Sequence, residues 1–366
     1  MRQTNLSSRT LQAALRLLLA TTTSFFLLAG FSAHASQQRY LWEDASGTFH
    51  VSPQPPPSGA YRQLDPEEAT DESPIEEAPQ SRETQTGGAS SPVAFGNALL
   101  WKIVPNRSQS ERGSPSYLFG TIHSEDPRVM DLPAEVQRAF NDSPRFCMEM
   151  LLDPPALGQL TQSMLYTDGH NLQTVIGADL FSRVVPLMAE RGVPQSALSR
   201  FKPWAVFMML SVPKAHTGLF LDAFLYSLAK QQGKSVCGLE TAAEQLAIFD
   251  TAPIPDQIVL LREAVGQYPS QEKGFADMMD RYLARDVSGI VALSKNTTPT
   301  TPAEQQISAG FLKKLLEDRN VRMVDRLLPR LKEGGVFIAV GALHLPGQQG
   351  ILHLLQDQGY RVSAVY

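Results

Sequence analysis

Two of the 7 histidines stand in the same short context. In FGTIH, residues 119–123, an apolar run ends at Gly120 and His123 follows. In VGALH, residues 340–344, the same pattern ends at Gly341 and His344. Imidazole is a common metal ligand. Two imidazoles with carboxylates match what a divalent transition metal (zinc, manganese or cobalt) accepts. A metal-bound water would then be the nucleophile and a free glutamate the base. The candidate carboxylates are Glu149 in RFCMEM and Glu240 in SVCGLE. A carboxylate inside an apolar run is costly unless it is paired or metal-bound. Glu149 is therefore a ligand, a base or one half of a structural ion pair. Glu240 stands just before TAAEQLAIF, where an acid also suits a helix start. The two glycines would let the chain turn at each strand end and let backbone approach a ligand.

A second signal lies in SAGFLKKLLEDRNVRMVDRLL, read as one helix. Its apolar stripe is Leu312, Leu316, Met323 and Leu327; Arg319 falls on the stripe and Asn320 borders it. A cation on a core-facing stripe needs a partner. Arg319 either steadies a carboxylate or oxyanion in the site, or forms a buried structural pair. Asp222 opens the helix LDAFLYSLAKQQGK as a first-turn acid, with support of the site from behind as the other role. His50, His170, His216 and His353 have no matching partners nearby. No H-E-x-x-H, G-x-S-x-G or P-loop occurs, which argues against zincin, serine-hydrolase and NTPase chemistry.

These side chains need a frame to hold them. From about Val93 to Tyr366 the pattern is globular. Six apolar runs read as strands: ALLWKIV, SYLFGTI, RFCMEM, SVCGLE, GVFIAVGA and YRVSAVY. Helical patterns lie between them, LPAEVQRAFNDS and ILHLLQDQGY among them, and the span from about Leu157 to Ser308 reads as mostly helical. SKNTTPTTPAEQQ reads as an exposed loop. Alternation of strands and helices predicts an α/β fold, a mixed β-sheet core flanked by helices, with α+β as the alternative. In such sheets ligands sit outside the carboxyl ends of the strands. His123, Glu149, Glu240 and His344 all fall at or near such ends.

The first 92 residues read differently. Residues 1–35 combine Arg2, Arg9 and Arg16 with an apolar stretch and an A-x-A site ending at Ala35, the pattern of a secretory signal peptide. No other run is long enough to span a bilayer, so the expectation is a periplasmic or secreted protein with no transmembrane anchor after cleavage. Residues 36–64 hold a small β-hairpin module, with RYLWE and TFHVS around the turn DASG. Its pattern Trp42-x-Asp44-x-x-Gly47-x-x-His50 resembles a small periplasmic module of unknown function, which would contact cell-envelope material. Residues 65–92 are acidic and Pro-rich and read as a disordered linker. The net charge of −5 argues against nucleic-acid binding. The 2 cysteines, Cys147 and Cys237, are either one disulfide or two buried thiols.

Taken in order, LLWKI, YLFGTIH, MEMLLDP, FKPWAVFMML, LDAFLYSLAKQQGKSVCGLET, LLEDRNVRMVDRL and FIAVGALHLPGQQGILHLLQDQGYRV resemble the TraB/GumN family, related to the Tiki proteins. The resemblance covers nearly all of 93–366. It implies a metal-dependent hydrolase with paired GxxH histidines, here His123 and His344, with Glu149 as the family's acid. Glu240 and Arg319-Asn320 match further family motifs. Glu149, Arg319 and Asn320 are then the candidate catalytic groups; His123, His344, Glu149 and Glu240 are the candidate metal ligands, with Asp222, Gly120 and Gly341 behind them. SEDP after the first motif is more acidic than the family pattern leads one to expect. The leading expectation is a secreted metal-dependent peptidase acting on peptide or protein substrates. The alternative is a non-catalytic binding or regulatory protein for peptides or polysaccharide precursors.

Overall fold

The computed structural model describes residues 39–43, 49–52, 61–64, 97–106, 114–214, 217–294 and 301–366. The segments read as signal peptide and linker lie outside the described residues, as does His216.

Three short strands come first: β1 (Arg39–Glu43), β2 (Phe49–Ser52) and β3 (Tyr61–Leu64). They form an antiparallel sheet in the order β2-β1-β3. The expected hairpin is β1–β2, and β3 adds a strand that the sequence pattern had not shown.

The six apolar runs of the main domain form six strands: β4 (Leu100–Pro105), β5 (Ser116–Thr121), β6 (Arg145–Met148), β7 (Ser235–Gly238), β8 (Val336–Gly341) and β9 (Tyr360–Ala364). Their order is β7-β6-β8-β5-β4-β9. The run β7-β6-β8-β5 is parallel, whereas β4 pairs antiparallel with both β5 and β9. The protein is thus a mixed α/β fold. β8 is one of the two middle strands, and all six of its residues are buried. A parallel strand covered on both faces has to be apolar throughout, which is why VFIAVG is a continuous run rather than an alternating one.

Alternation along each strand feeds two apolar layers. Phe119, Phe146, Phe337 and Ala339 pack with the helices Ala134–Asn141 and Leu221–Gln231 on one face. Leu118, Cys147, Ile338 and Val340 pack with the helices Glu317–Glu333 and Ile351–Asp357 on the other. Each layer therefore brings a helix that carries a candidate site residue: Asp222 on the first, Arg319 and Asn320 on the second.

Two expectations are corrected. The helix over 308–328 is two helices, Pro302–Leu315 and Glu317–Glu333, broken at Leu316 (φ −116°, ψ −70°). The buried stripe consequently runs through Phe311, Leu315, Arg319, Met323 and Leu327, with Leu312 and Leu316 only half-buried. The end of the expected loop, PAEQQ, is helical instead. Thr301 and Glu304 close a reciprocal capping box there, and Pro302 takes the first turn. Cys147 and Cys237, register partners on β6 and β7, are joined in a disulfide.

Candidate functional site

The four parallel strands all end at one edge. β5 leads into His123, β6 into Glu149, β7 into Glu240 and β8 into His344. The two GxxH motifs leave neighbouring parallel strands offset by one residue, with Thr121 opposite Gly341. The glycines serve this arrangement in ways other than by turning the chain. Gly341 has φ −54°, and its N–H donates to Glu149 Oε1 at 2.7 Å. A Cβ on Gly120 would lie 2.7 Å from Leu345 Cδ1 and 3.1 Å from Ala342 Cα. Gly120 is bare so that the second motif can pack against the first.

His344 ends a short 3-10 turn, Ala342–His344, and points toward the helix Glu317–Glu333. Asn320 Nδ2 donates to the Gln349 carbonyl at 2.7 Å, which fixes the amide's orientation. Asn320 Oδ1 therefore faces His344, and Nδ1–H donates to it at 2.5 Å. The ring is left with its proton on Nδ1 and a lone pair on Nε2. Nε2 lies 3.5 Å from Arg319 Nη1 and 3.6 Å from Glu149 Oε1. Burial, and next the Arg319 charge, hold the His344 pKa well below its usual value, so the ring is neutral.

Arg319 is 2 % exposed and lies between two carboxylates. Nη2 donates to Glu149 Oε2 at 2.6 Å, and Nε donates to Glu240 Oε2 at 2.7 Å. Nη1 has only long contacts, to Leu315 O at 3.4 Å and to His344 Nε2. Burial works against the guanidinium charge, but the two carboxylates outweigh it and its pKa is raised. Glu240 Oε1 accepts from Arg322 Nη1 at 2.7 Å, and Oε2 also accepts from Gln245 at 3.2 Å. Thr241 and Glu244 cap the helix that Glu240 precedes, so Glu240 itself is free to turn inward. Burial pushes the Glu149 carboxyl up to about 7, against the pull of Arg319 and the Gly341 N–H. A carboxyl with that value changes protonation around neutral pH.

His123 and Asp222 lie on the other face of the edge. Thr121 Oγ1 donates to Asp222 Oδ1 at 2.7 Å. The His123 ring packs on Phe220, with centroids 3.7 Å apart. Both ring nitrogens of His123, and Asp222 Oδ2, are buried with no hydrogen-bond partner among the described residues. Burial lowers the His123 pKa to about 3 and raises that of Asp222 to about 6. Orphaned buried lone pairs are uncommon, and each calls for an explanation.

The structure thus gathers His344, Glu149, Glu240, Arg319 and Asn320 into one hydrogen-bonded network and sets His123 with Asp222 beside it. The donor atoms are of the kind that bind divalent metals. Their placement does not fit one: among the described residues no three His, Cys, Asp or Glu side chains come together to hold an ion. Both oxygens of Glu240 are taken by arginines, and the Arg319 guanidinium is the cation between the two glutamates. Thr121, Phe220, Gln245, Arg322 and the Gln349 carbonyl belong to the arrangement although sequence reasoning did not select them. Arg322, one turn beyond Arg319, had a readable signal in its spacing; the others had none.

A mixed α/β protein with a buried His–Glu–Arg network at the carboxyl edge of its sheet is the class that this geometry defines. The chain belongs to the TraB/PrgY/gumN family, whose model matches residues 99–364. Among curated proteins it is 28% identical to Metalloprotease TIKI2 of Danio rerio, over 73% of this chain and 61% of that protein. It is 27% identical to Metalloprotease TIKI1 of Homo sapiens, over 73% and 62%. It is 25% identical to the uncharacterized protein YbaP of Shigella flexneri, over 71% and 94%. The chain spans about three fifths of the length of these TIKI relatives. No solved structure matches it.

Proposed function

We propose that the chain hydrolyses amide bonds in peptides at the carboxyl edge of the sheet, His344 serving as the proton acceptor. The observation that carries this reading is the fixed tautomer, with Nδ1–H held by Asn320 and the Nε2 lone pair turned to Arg319 Nη1 at 3.5 Å, with Glu149 Oε1 at 3.6 Å. Nε2 takes a proton from an attacking water. Arg319 Nη1, the least engaged part of the guanidinium, faces the oxyanion that forms at the carbonyl. Glu149, in its protonated form below about pH 7, delivers a proton to the leaving amine. His344 then returns its proton to the carboxylate it has re-formed. These groups are all nearly buried, so substrate entry has to open this edge. The names of the TIKI relatives support the peptidase assignment. The test is release of free amine from a peptide library by the purified chain, with Glu149→Gln and His344→Ala as controls; equal release by the variants sinks the reading.

Metal dependence has its own outcome. The relatives are named metalloproteases, and zinc, manganese or cobalt is what paired imidazoles with carboxylates would accept, while the side chains as arranged do not hold one, so the steps above use the chain's groups alone. A retained metal at about one per chain, stripped by His123→Ala and by His344→Ala, would show that the edge rearranges around an ion.

A second reading is favoured by the closed edge: a non-catalytic binding protein for peptides or polysaccharide precursors. Retention of peptides without amine release would select it. We place either activity in a periplasm or outside the cell, on the signal-like residues 1–35, with the N-terminal module toward envelope material; cell fractionation tests this. Among the described residues no helix is long and apolar enough to cross a membrane.

A further inference from the structure

An open cavity of about 460 Å³ lies at the same sheet edge as the first GxxH motif, lined among others by Asn97, Ala98, Arg285, Asp286, Val365 and Tyr366. Its volume is in the range of small-ligand sites. Short links tie its wall to Gly120. Tyr282, three residues before Arg285, donates its hydroxyl to the Gly120 carbonyl at 2.8 Å. The Gly120 N–H donates to Leu99 O at 2.8 Å, and the Leu99 and Leu100 N–H groups donate to Tyr366 O at 2.6 and 3.0 Å.

Arg285 stands out in this wall. Among the described residues it is the one non-glycine with positive φ, 61°. It ends the helix Gln271–Leu283, where Arg285 N–H donates to Tyr282 O and Asp286 N–H to Arg281 O, both at 2.8 Å. Helix ends of this kind favour glycine, because other side chains are strained there. The position therefore holds an arginine against its backbone preference. Among the described residues no acidic side chain pairs with its charge: Asp286 is bound by Arg281 at 2.7 Å and by the Gly289 N–H at 2.7 Å. Among the described residues Arg285 makes no ion pair. Its guanidinium lies over the Tyr366 ring, 4.6 Å from the centroid, which holds it at the cavity.

We propose that this cavity is a subsite for the C-terminal α-carboxylate of a peptide, with Arg285 as the group that recognises it. The proposal rests on the peptide-hydrolase reading and narrows its substrate to peptides with a free carboxyl end. A planar guanidinium matches a carboxylate with two parallel hydrogen bonds. The hydrogen bonds of Gly120 to Tyr282 and Leu99 tie the cavity wall to β5, which neighbours β8, so the rest of the peptide runs along this edge toward the second motif and His344.

The test is equilibrium dialysis of the full chain carrying Glu149→Gln against a pool of N-acetylated tripeptides with free C-termini, the same pool as amides, and inorganic phosphate. Acids should be retained roughly tenfold or more over amides. Arg285→Gly should abolish that preference without lowering the melting temperature, since glycine suits φ 61°; Arg285→Lys should keep part of it. Equal retention of acids and amides, no retention of either, a preference unchanged in Arg285→Gly, or displacement of the acids by equimolar phosphate each overturns the proposal. Carboxylate-dependent binding with no amine release by the wild type would fail the hydrolase reading and leave the subsite standing. Amine release with no acid preference would do the reverse.

Discussion

Asn320 Oδ1 lies 2.5 Å from His344 Nδ1, and the amide that carries it is held by the Gln349 carbonyl at 2.7 Å. A backbone carbonyl thereby decides which nitrogen of a buried imidazole keeps its proton. Replacing Asn320 by alanine removes this control. The lone pair should move between the two ring nitrogens, and the proposed activity should fall by about 10- to 100-fold, the usual cost of losing a partner that orients a histidine. Nitrogen NMR of His344 reads the tautomer directly. A ring still protonated on Nδ1 alone in the variant would remove Asn320 from the argument.

Arg319 is the sole buried cation that touches both Glu149 and Glu240 among the described residues. Arg319→Met leaves two buried carboxylates without it and should cost about 3–5 kcal/mol of stability at neutral pH. The deficit should shrink in acid, because protonation removes the uncompensated charge. Urea unfolding of both proteins at pH 5 and pH 8 checks this; a deficit independent of pH counts against the ionic account.

His123 offers a pH signature of the opposite sign. Its folded-state pKa, lowered by burial to about 3, lies below the ordinary 6.5. The unfolded chain takes up the proton first, so this contribution to stability is complete above about pH 6.5 and is lost as pH falls toward 3. His123→Phe keeps a ring against Phe220 and removes two orphaned nitrogens. It should stay within about 1 kcal/mol of the wild type at pH 7.5 and be the more stable protein at pH 4.5. Denaturation curves at the two pH values decide it.

The disulfide joins β6 and β7 two residues before Glu149 and three before Glu240, across a sequence separation of 90. A closed loop of that size should make reduction cost about 3–5 kcal/mol. Guanidinium unfolding with and without reductant measures the loss. Wild type and the Cys147→Ser/Cys237→Ser variant should coincide under reducing conditions.

Much of this architecture could be read from the chain because the signals are local. Six apolar runs became six strands, and Gly233 and Gly359 closed helices where they stood, with φ 65° and 83°. The break at Leu316 carried no proline or glycine, so one amphipathic pattern read as one helix. The strand β3 was equally silent, since YRQL shows no long apolar pattern of its own.

The sequence by itself determined that two Gly-x-x-His motifs close two apolar strands, that Glu149 sits in a buried run and that Arg319 lies on a core-facing stripe. Strand spacing and burial of side chains follow from neighbours in the chain, so they leave a pattern in it. The tertiary structure alone decided which charge meets which. β8 lies between β6 and β5, and each face of the sheet brings a different helix. His344 consequently turns to Asn320 and Arg319 on one face, while His123 turns to Phe220 beside Asp222 on the other. Two equal motifs in the chain thus became unequal residues, because a hydrogen bond depends on distances of a few ångströms that only the strand order sets.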